Sequence, residues 1–146
     1  MNRFVIVIFI FTMLFGCTTN LQRTYPKTNR SLLWTAMVAV AESPEYQAEN
    51  VLKRWIVVEN NVNANASLGI IEVRRILARS LQLPLQEVQN DRRNILFTVY
   101  LLPGELPTLK FVSLGSQMIP ARGVNESERY FTAVEEMLEP PLSHVR

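Results

Sequence analysis

The sequence predicts an α+β domain in which an antiparallel sheet of three to five strands carries about three helices, packed mainly on one face. Segments with apolar residues at helical spacing alternate with segments of period two, and proline, glycine and asparagine separate them. The chain has 146 residues, 48% hydrophobic and 19% charged. This composition suits one compact core and is too polar for several membrane spans.

The chain begins with a short apolar segment that follows a single cation, Arg3. Residues 4–15 contain one polar side chain, Thr12. As a helix they would be about 18 Å long, well short of the roughly 30 Å hydrocarbon core of a bilayer. Residues 1–16 are therefore interpreted as a signal peptide.

The apolar segment ends in Leu14-Phe15-Gly16-Cys17, which resembles the lipobox of bacterial lipoprotein precursors, although Phe15 is bulkier than the residue usual at that place. The resemblance implies that the thiol of Cys17 is lipidated, that cleavage occurs before it and that the new amino end is acylated. The mature protein would then span residues 17–146. An ordinary buried cysteine after an apolar helix is the alternative.

The same resemblance gives an expected location. Two or more acyl chains on Cys17 would make the membrane a partner, through an anchor that does not readily dissociate. In Gram-negative lipoproteins, Asp directly after the cysteine favours retention in the inner membrane. The residue here is Thr18, so we expect a lipid-anchored protein of the outer membrane that faces the periplasm.

The polar segment after the cysteine has no apolar period. Residues 17–30 are therefore predicted to form the lipidated cysteine and a flexible tether, with a reach of roughly 20 Å. The globular domain is expected over residues 31–139, and residues 140–146 after the proline pair are expected to be a loose tail.

Residues 31–42 are predicted to form the first helix of the domain. Their apolar positions at helical spacing are Leu33, Met37 and Val40. Asn29 or Ser31 is the expected N-cap, and Ser43-Pro44 ends the helix. The apolar stripe is interpreted as core, with a partner-binding face as the alternative.

Two strands and a second helix are predicted next. Residues 46–49 form a weak strand, and residues 54–59 form a stronger one with Trp55 and Val57 on one face; residues 60–65 are expected to be a loop. Residues 66–82 are predicted to be a helix, with apolar residues at Ile70, Val73, Leu77 and Leu81. A strand there would place arginine and leucine on the same face, which favours the helix.

The clearest strand is residues 93–102, followed by a Pro103-Gly104 turn and a hairpin partner over residues 108–114. Both faces of residues 93–102 carry large apolar side chains, so either the domain covers both faces or a partner covers one. A final helix is predicted from a capping box at Asn125 and Glu128 to the proline pair. Its apolar stripe consists of Phe131, Val134 and Leu138.

The composition excludes several classes of function. The chain has 15 Lys and Arg against 13 Asp and Glu, a formal net charge of +2, which is not typical of a nucleic-acid-binding protein. It contains one cysteine and one histidine, too few for a disulfide scaffold, a Cys/His zinc site or Ser-His catalysis. The histidine, His144, lies in the predicted tail. We therefore expect no enzyme, no cofactor and no metal.

One basic cluster is a candidate binding site. It consists of Arg74, Arg75, Arg79, Arg92 and Arg93. Arg75 and Arg79 are four residues apart, so on a helix they would share a face with Arg74 beside them. This face would accept an acidic partner, a lipid phosphate or an anionic glycan. The sequence favours the other interpretation, a solvated face whose charges are paired with Glu72, Glu87 and Asp91.

We therefore expect a membrane-anchored envelope lipoprotein with a non-catalytic binding or structural role and an envelope protein as a further partner. A periplasmic carrier of a small apolar or lipid ligand is the first alternative. A hydrolase that works through the carboxylates of the last helix, such as Glu126 and Glu135, is a weaker one. The order and size of the elements are loosely similar to the small helix-on-sheet domains of periplasmic lipoproteins, which implies little about function.

Overall fold

The computed structural model of the chain describes residues 20–46, 54–81, 84–114 and 120–139. Within them it contains five strands and two helices. In chain order these are β1 (Asn20–Thr24), α1 (Arg30–Glu42), β2 (Ile56–Asn65), β3 (Ile70–Leu81), β4 (Gln89–Leu102), β5 (Thr108–Ser113) and α2 (Pro120–Leu138). The α+β class and the antiparallel sheet are confirmed. The expected third helix is a strand.

The five strands form one sheet in the order β1-β5-β4-β3-β2, with every neighbouring pair antiparallel. Both helices pack on the same face, as expected. Phe97 of β4 meets Tyr130 of α2 edge to face at 5.9 Å between ring centroids, and the Tyr130 hydroxyl donates to the Met37 carbonyl of α1 at 2.6 Å. The core is the layer of side chains between the sheet and the two helices.

The first helix agrees with its prediction. The Asn29 side chain accepts from the Ser31 N–H at 2.8 Å, so Asn29 is the N-cap, and Ser43 is the C-cap. The predicted apolar stripe, Leu33, Met37 and Val40, is buried in the core.

The helix predicted over residues 66–82 is wrong, because Ile70–Leu81 is strand β3. Alternate residues from Ile71 to Leu77 are buried beneath the helices, and Arg75 is one of them. The sequence favours a helix here because a strand places arginine and leucine on the same face. The fold allows this arrangement because polar groups from four other parts of the chain, those of Ala41, Tyr46, Asn60 and Glu126, surround the guanidinium.

The prediction of a flexible tether over residues 17–30 is wrong from Asn20 onward, where the chain forms strand β1. β1 pairs with β5 along its whole length. The Arg23 guanidinium donates to Glu128 at 2.7 Å and to Glu135 at 2.9 Å, and it lies 4.8 Å above the Phe131 ring. A polar segment can form an edge strand because its backbone pairs on one side and only alternate side chains touch the core.

The loop predicted over residues 60–65 is wrong, because these residues belong to strand β2. A bulge between Val57 and Glu59 adds one residue to the strand. Trp55 and Val57 before the bulge therefore point to the same side of the sheet as Asn60 after it. The weak strand predicted over residues 46–49 lies outside the described residues except for Tyr46, which is in neither a helix nor a strand.

Strands β4 and β5 confirm the predicted hairpin, and β4 begins earlier than predicted, at Gln89. Gly104 in the connection has φ +151°, a backbone that favours glycine. The predicted capping box is wrong, because α2 begins at Pro120 and Asn125 lies inside it. Proline suits the first helical position, where its missing N–H is not needed.

On the face of β4 away from the helices, Leu96 is 37% exposed, and no helix of the described part of the chain covers it. In that part, neither helix combines the length and apolar character required to cross a bilayer.

Candidate anion-binding cleft

A cleft of about 330 Å³ lies at one end of the sheet, between the beginning of β4 and the first half of α2. Four arginines line it: Arg92, Arg93, Arg122 and Arg129. We refer to it as the arginine cleft. The rest of its lining is Tyr46, Trp55, Leu77, Asn94, Ile95, Asn125 and Glu126. It therefore combines a concentration of positive charge with an apolar and aromatic wall.

The strand and helix periods bring these side chains together. Arg93 and Ile95 alternate with exposed neighbours on β4, so they share the face that the helices cover. On α2, Arg122, Glu126 and Arg129 are separated by four and three residues, the spacing of one helical face. The beginning of α2 also places the positive end of its helix dipole beside the cleft.

The indole of Trp55 holds two arginines of this region in place. The Arg93 guanidinium carbon lies 4.0 Å from the Trp55 ring centroid, and that of Arg79 lies 4.7 Å from it. Arg79 is also paired with Asp91 at 2.6 Å. Stacking on an aromatic ring orients a guanidinium while leaving N–H groups at its edge for another acceptor.

The cleft contains more positive than negative charge. Among the described residues, no carboxylate lies within ion-pair distance of Arg92, Arg93 or Arg122. Burial, together with the nearby charges of Arg122 and Arg79, lowers the pKa of Arg93 below its ordinary value, and the charge of Asp91 offsets only part of this. A group whose charged form is disfavoured in this way gains most from an added anion.

Two lining residues, Tyr46 and Glu126, connect the arginine cleft to a buried polar network around Arg75, whose side chain has no exposed surface. The guanidinium donates from Nε to Asn60 Oδ1 at 2.9 Å, from Nη1 to the Tyr46 hydroxyl at 2.9 Å and from Nη2 to the Ala41 carbonyl at 2.9 Å. Nη1 also lies 3.4 Å from Glu126 Oε1. Each contact ties β3 to a different segment of the chain.

Glu126 links this network to the cleft wall. It accepts from the Tyr46 hydroxyl at 2.8 Å and is paired with Arg129, whose guanidinium lies 4.2 Å from the Tyr46 ring centroid. Burial would lower the pKa of Arg129, but its hydrogen bond and charge interaction with Glu126 raise it above the ordinary value. Burial, and then the Glu126 charge, raise the pKa of Tyr46 to about 12. Both carboxylate oxygens of Glu126 therefore accept hydrogen bonds within the protein.

The structure separates the residues of the predicted anionic-partner face. Arg75 is in the buried network, Arg79 supports Trp55, and Arg74 is exposed on the opposite face of the sheet. The cause is the strand period, which sends adjacent residues to opposite faces. Cys17 and His144 lie outside the described residues.

Sequence reasoning considered Arg93 but missed Trp55, Arg122 and Arg129. The seven-residue spacing of Arg122 and Arg129 would have placed them on one face of a helix, had the last helix been predicted to begin at residue 120. No local signal placed Trp55 beside Arg93, because that contact depends on the pairing of three strands.

The described part of the chain contains no group of three or more metal-ligating His, Cys, Asp or Glu side chains. Glu126 and Glu135, candidates for the carboxylate alternative, have different partners: Glu126 binds Arg75 and Arg129, and Glu135 binds Arg23. They do not face each other across a cleft.

No family model matches the chain, and no curated protein matches it. Among solved structures, the chain is similar to protein CV1439 from Chromobacterium violaceum, a structural genomics target, at 15% identity and a TM-score of 0.42. The similarity covers 84% of this chain and 98% of that one.

Proposed function

We propose that this chain is a membrane-anchored lipoprotein of the bacterial envelope with a non-catalytic binding role, and that the arginine cleft is its site for an anionic group. The anchor is an acylated Cys17, and the location is the outer membrane, facing the periplasm. The observation that carries the binding role is the convergence of Arg93 and Arg122 on one cleft, neither of them in an ion pair with a carboxylate of the described residues.

The local structure supports binding because the cleft is organised before a ligand arrives. The Arg93 guanidinium lies over the Trp55 ring, and Arg129 is paired with Glu126. Side chains that are already held lose less conformational entropy when an anion binds. A guanidinium also presents paired N–H donors that match the oxygens of a phosphate or carboxylate.

The two alternatives gain less support. A carrier of an apolar ligand needs an enclosed apolar cavity, but rings such as Phe97, Phe111 and Tyr130 occupy the layer between sheet and helices. A hydrolase that works through carboxylates needs two of them facing each other, and the described part of the chain offers Glu126 only as the partner of two arginines.

The binding role is tested with the full chain purified in a non-ionic detergent and titrated calorimetrically with inorganic phosphate, pyrophosphate and citrate. Arg93→Gln and Arg122→Gln should each weaken binding of the preferred anion about tenfold, the loss of one charge-assisted contact. Arg74→Gln is the matched control, because it removes the same charge from the opposite face and should change the Kd less than about twofold.

Equal losses in all three variants would show non-specific attraction, and no binding by any anion would reject the cleft as a site.

The lipid anchor is tested separately. Cys17→Ser should abolish incorporation of radiolabelled palmitate and sedimentation with membranes. A Cys17→Ser variant that is still trimmed and still sediments would contradict the lipid anchor.

A further inference from the structure

The charges of the arginine cleft are not balanced within the described part of the chain. Its lining contains four arginines and one carboxylate, Glu126. That carboxylate is paired with Arg129 and also lies 3.4 Å from the buried guanidinium of Arg75. It forms no ion pair with Arg93 or Arg122. Two positive charges of the cleft therefore remain for a ligand to balance.

The second carboxylate of this region, Asp91, is also occupied. One of its oxygens accepts from Nε of Arg79 at 2.9 Å and from Nη2 of the same side chain at 2.6 Å. Burial and the neighbouring guanidinium groups of Arg122 and Arg79 lower the pKa of Arg93 despite this carboxylate. A ligand with two negative charges relieves the repulsion between Arg93 and Arg122 more completely than a ligand with one.

The hydrogen-bond donors of the cleft suit a phosphate group. The Arg93 guanidinium lies over the Trp55 ring, 4.0 Å from its centroid, which leaves the N–H groups at its edge for oxygen acceptors. Arg122 is exposed in the first turn of α2, where backbone N–H groups lack partners within the helix. A phosphate monoester presents three strongly accepting terminal oxygens, more than a carboxylate does, and it carries about two negative charges at neutral pH.

The size and polarity of the cleft limit what the phosphate is attached to. The volume of about 330 Å³ is at the lower end of the roughly 300–1,000 Å³ typical of small-molecule sites. The apolar lining residues Leu77 and Ile95 are only 2% and 9% exposed, so they offer a ligand little surface. Asn94 and Asn125 are exposed, and neither side chain has a hydrogen-bond partner among the described residues. An amide both donates and accepts, as a hydroxyl group requires.

We infer, on the basis of the proposed function, that the arginine cleft binds the doubly charged phosphate group of a small polar phosphomonoester, such as a sugar or polyol phosphate. The guanidinium groups of Arg93 and Arg122 bind the phosphate oxygens, and Asn94 and Asn125 hydrogen-bond hydroxyl groups of the ester. A phosphodiester carries a single negative charge and leaves one of the two guanidinium groups unbalanced. The cleft therefore distinguishes a terminal phosphate from an internal one.

The ligand brings a pH dependence of its own. The second pKa of a phosphate monoester is about 6, whereas arginine keeps its charge throughout the range used for binding experiments. Raising the pH through this value converts the monoanion to the dianion and strengthens binding. The other titratable groups of the lining are Glu126 and Tyr46, whose pKa is raised to about 12. Methyl sulfate, a monoanion of the same shape as methyl phosphate, meets the same protein charges and is the reference at each pH.

The charge of the ligand is tested by calorimetric titration of the full chain in a non-ionic detergent with methyl phosphate, methyl sulfate and dimethyl phosphate. At about pH 7.5 methyl phosphate should bind about tenfold more tightly than either monoanion, the gain of one charge-assisted contact. At about pH 5 this preference should fall below about threefold. Arg93→Gln and Arg122→Gln should each reduce the preference at the higher pH below about threefold, whereas the matched control Arg74→Gln should keep it.

The outcomes separate this inference from the proposed function. Equal binding of methyl phosphate and methyl sulfate at the higher pH, with both weakened in Arg93→Gln, would overturn the inference and leave the proposed anion site intact. Binding of dimethyl phosphate as tight as that of methyl phosphate would overturn it in the same way. Absence of binding by all three compounds would reject the proposed function together with the inference.

The polar part of the ligand is tested with glycerol 3-phosphate and propyl phosphate, which match in carbon number and charge and differ in hydroxyl groups. Glycerol 3-phosphate should bind at least about threefold more tightly, the gain of one hydrogen bond. Asn125→Ala should remove this difference and change the Kd of methyl phosphate less than about twofold. Equal or tighter binding of propyl phosphate would overturn the assignment of a polar ester.

Discussion

Arg75 and Arg93 lie on neighbouring strands and on the same face of the sheet, but their surroundings differ. Arg75 is fully buried and donates to three neutral acceptors as well as facing Glu126. Arg93 is half-buried, stacks on Trp55 and faces two further arginines. The comparison shows that the number of acceptors around an arginine, and not its proximity to the core, decides whether it holds the fold together or remains open to a ligand.

The largest effect on stability is expected at Arg75, whose guanidinium is surrounded by acceptors. Arg75→Met keeps much of the side-chain volume but leaves Asn60, Tyr46 and the Ala41 carbonyl without their donor. Removing one partner of a buried polar network costs about 3–5 kcal/mol of unfolding free energy. Urea denaturation followed by circular dichroism measures it. A loss below about 1 kcal/mol would mean that the network contributes little to stability.

This arginine also shows the limit of the sequence prediction. The period of two in β4 and the spacing of apolar residues in α1 are local, so both elements were predicted correctly. The residues of β3 fit both a helical and a strand spacing. An arginine at position 75 favours the helix, and that prediction is wrong. What makes a buried arginine acceptable is its contact with Asn60 and Glu126, 15 and 51 residues away, and no local pattern contains that information.

The same reasoning explains what was missed about the site. The polarity of residues 17–30 predicts a tether, whereas β1 is fixed by backbone pairing with β5, far along the chain. The arginine cleft likewise needs β2, β4 and α2 together. The sequence thus identified the basic residues near the cleft, but their grouping depended on the tertiary fold.

A smaller effect on stability is expected at two buried tyrosines, Tyr130 and Tyr25. Like the two arginines, they differ in whether the polar group has an acceptor. The Tyr130 hydroxyl donates to the Met37 carbonyl, whereas the Tyr25 hydroxyl is buried without a partner among the described residues. Tyr130→Phe should lower the free energy of unfolding by about 1–3 kcal/mol. Tyr25→Phe removes an unsatisfied group and should be neutral or slightly stabilising.

Thermal unfolding of the two phenylalanine variants, measured side by side, compares them directly. A larger loss of stability from Tyr25→Phe than from Tyr130→Phe would contradict the proposed difference between a satisfied and an unsatisfied hydroxyl.

The smallest effect on stability is expected at Arg93. Arg93→Gln removes the stacking on Trp55, worth about 0.5–1 kcal/mol at a partly exposed site, but it also relieves repulsion from Arg79 and Arg122. The net change in the free energy of unfolding should stay within about 0.5 kcal/mol, measured in urea at low salt. A loss close to that of Arg75→Met would assign Arg93 to the fold and remove it from the candidate site.

The position of β1 has a consequence for how the domain is assembled. Within the described residues the first strand, β1, pairs with the last, β5, and Leu21 lies opposite Phe111, about ninety residues later. Such a distant pairing forms late, because the intervening chain must already be ordered. Until β1 docks, β5 therefore presents an unpaired edge, the kind of surface through which partly folded chains aggregate. Rapid docking of β1 onto β5 would thus limit self-association before folding is complete.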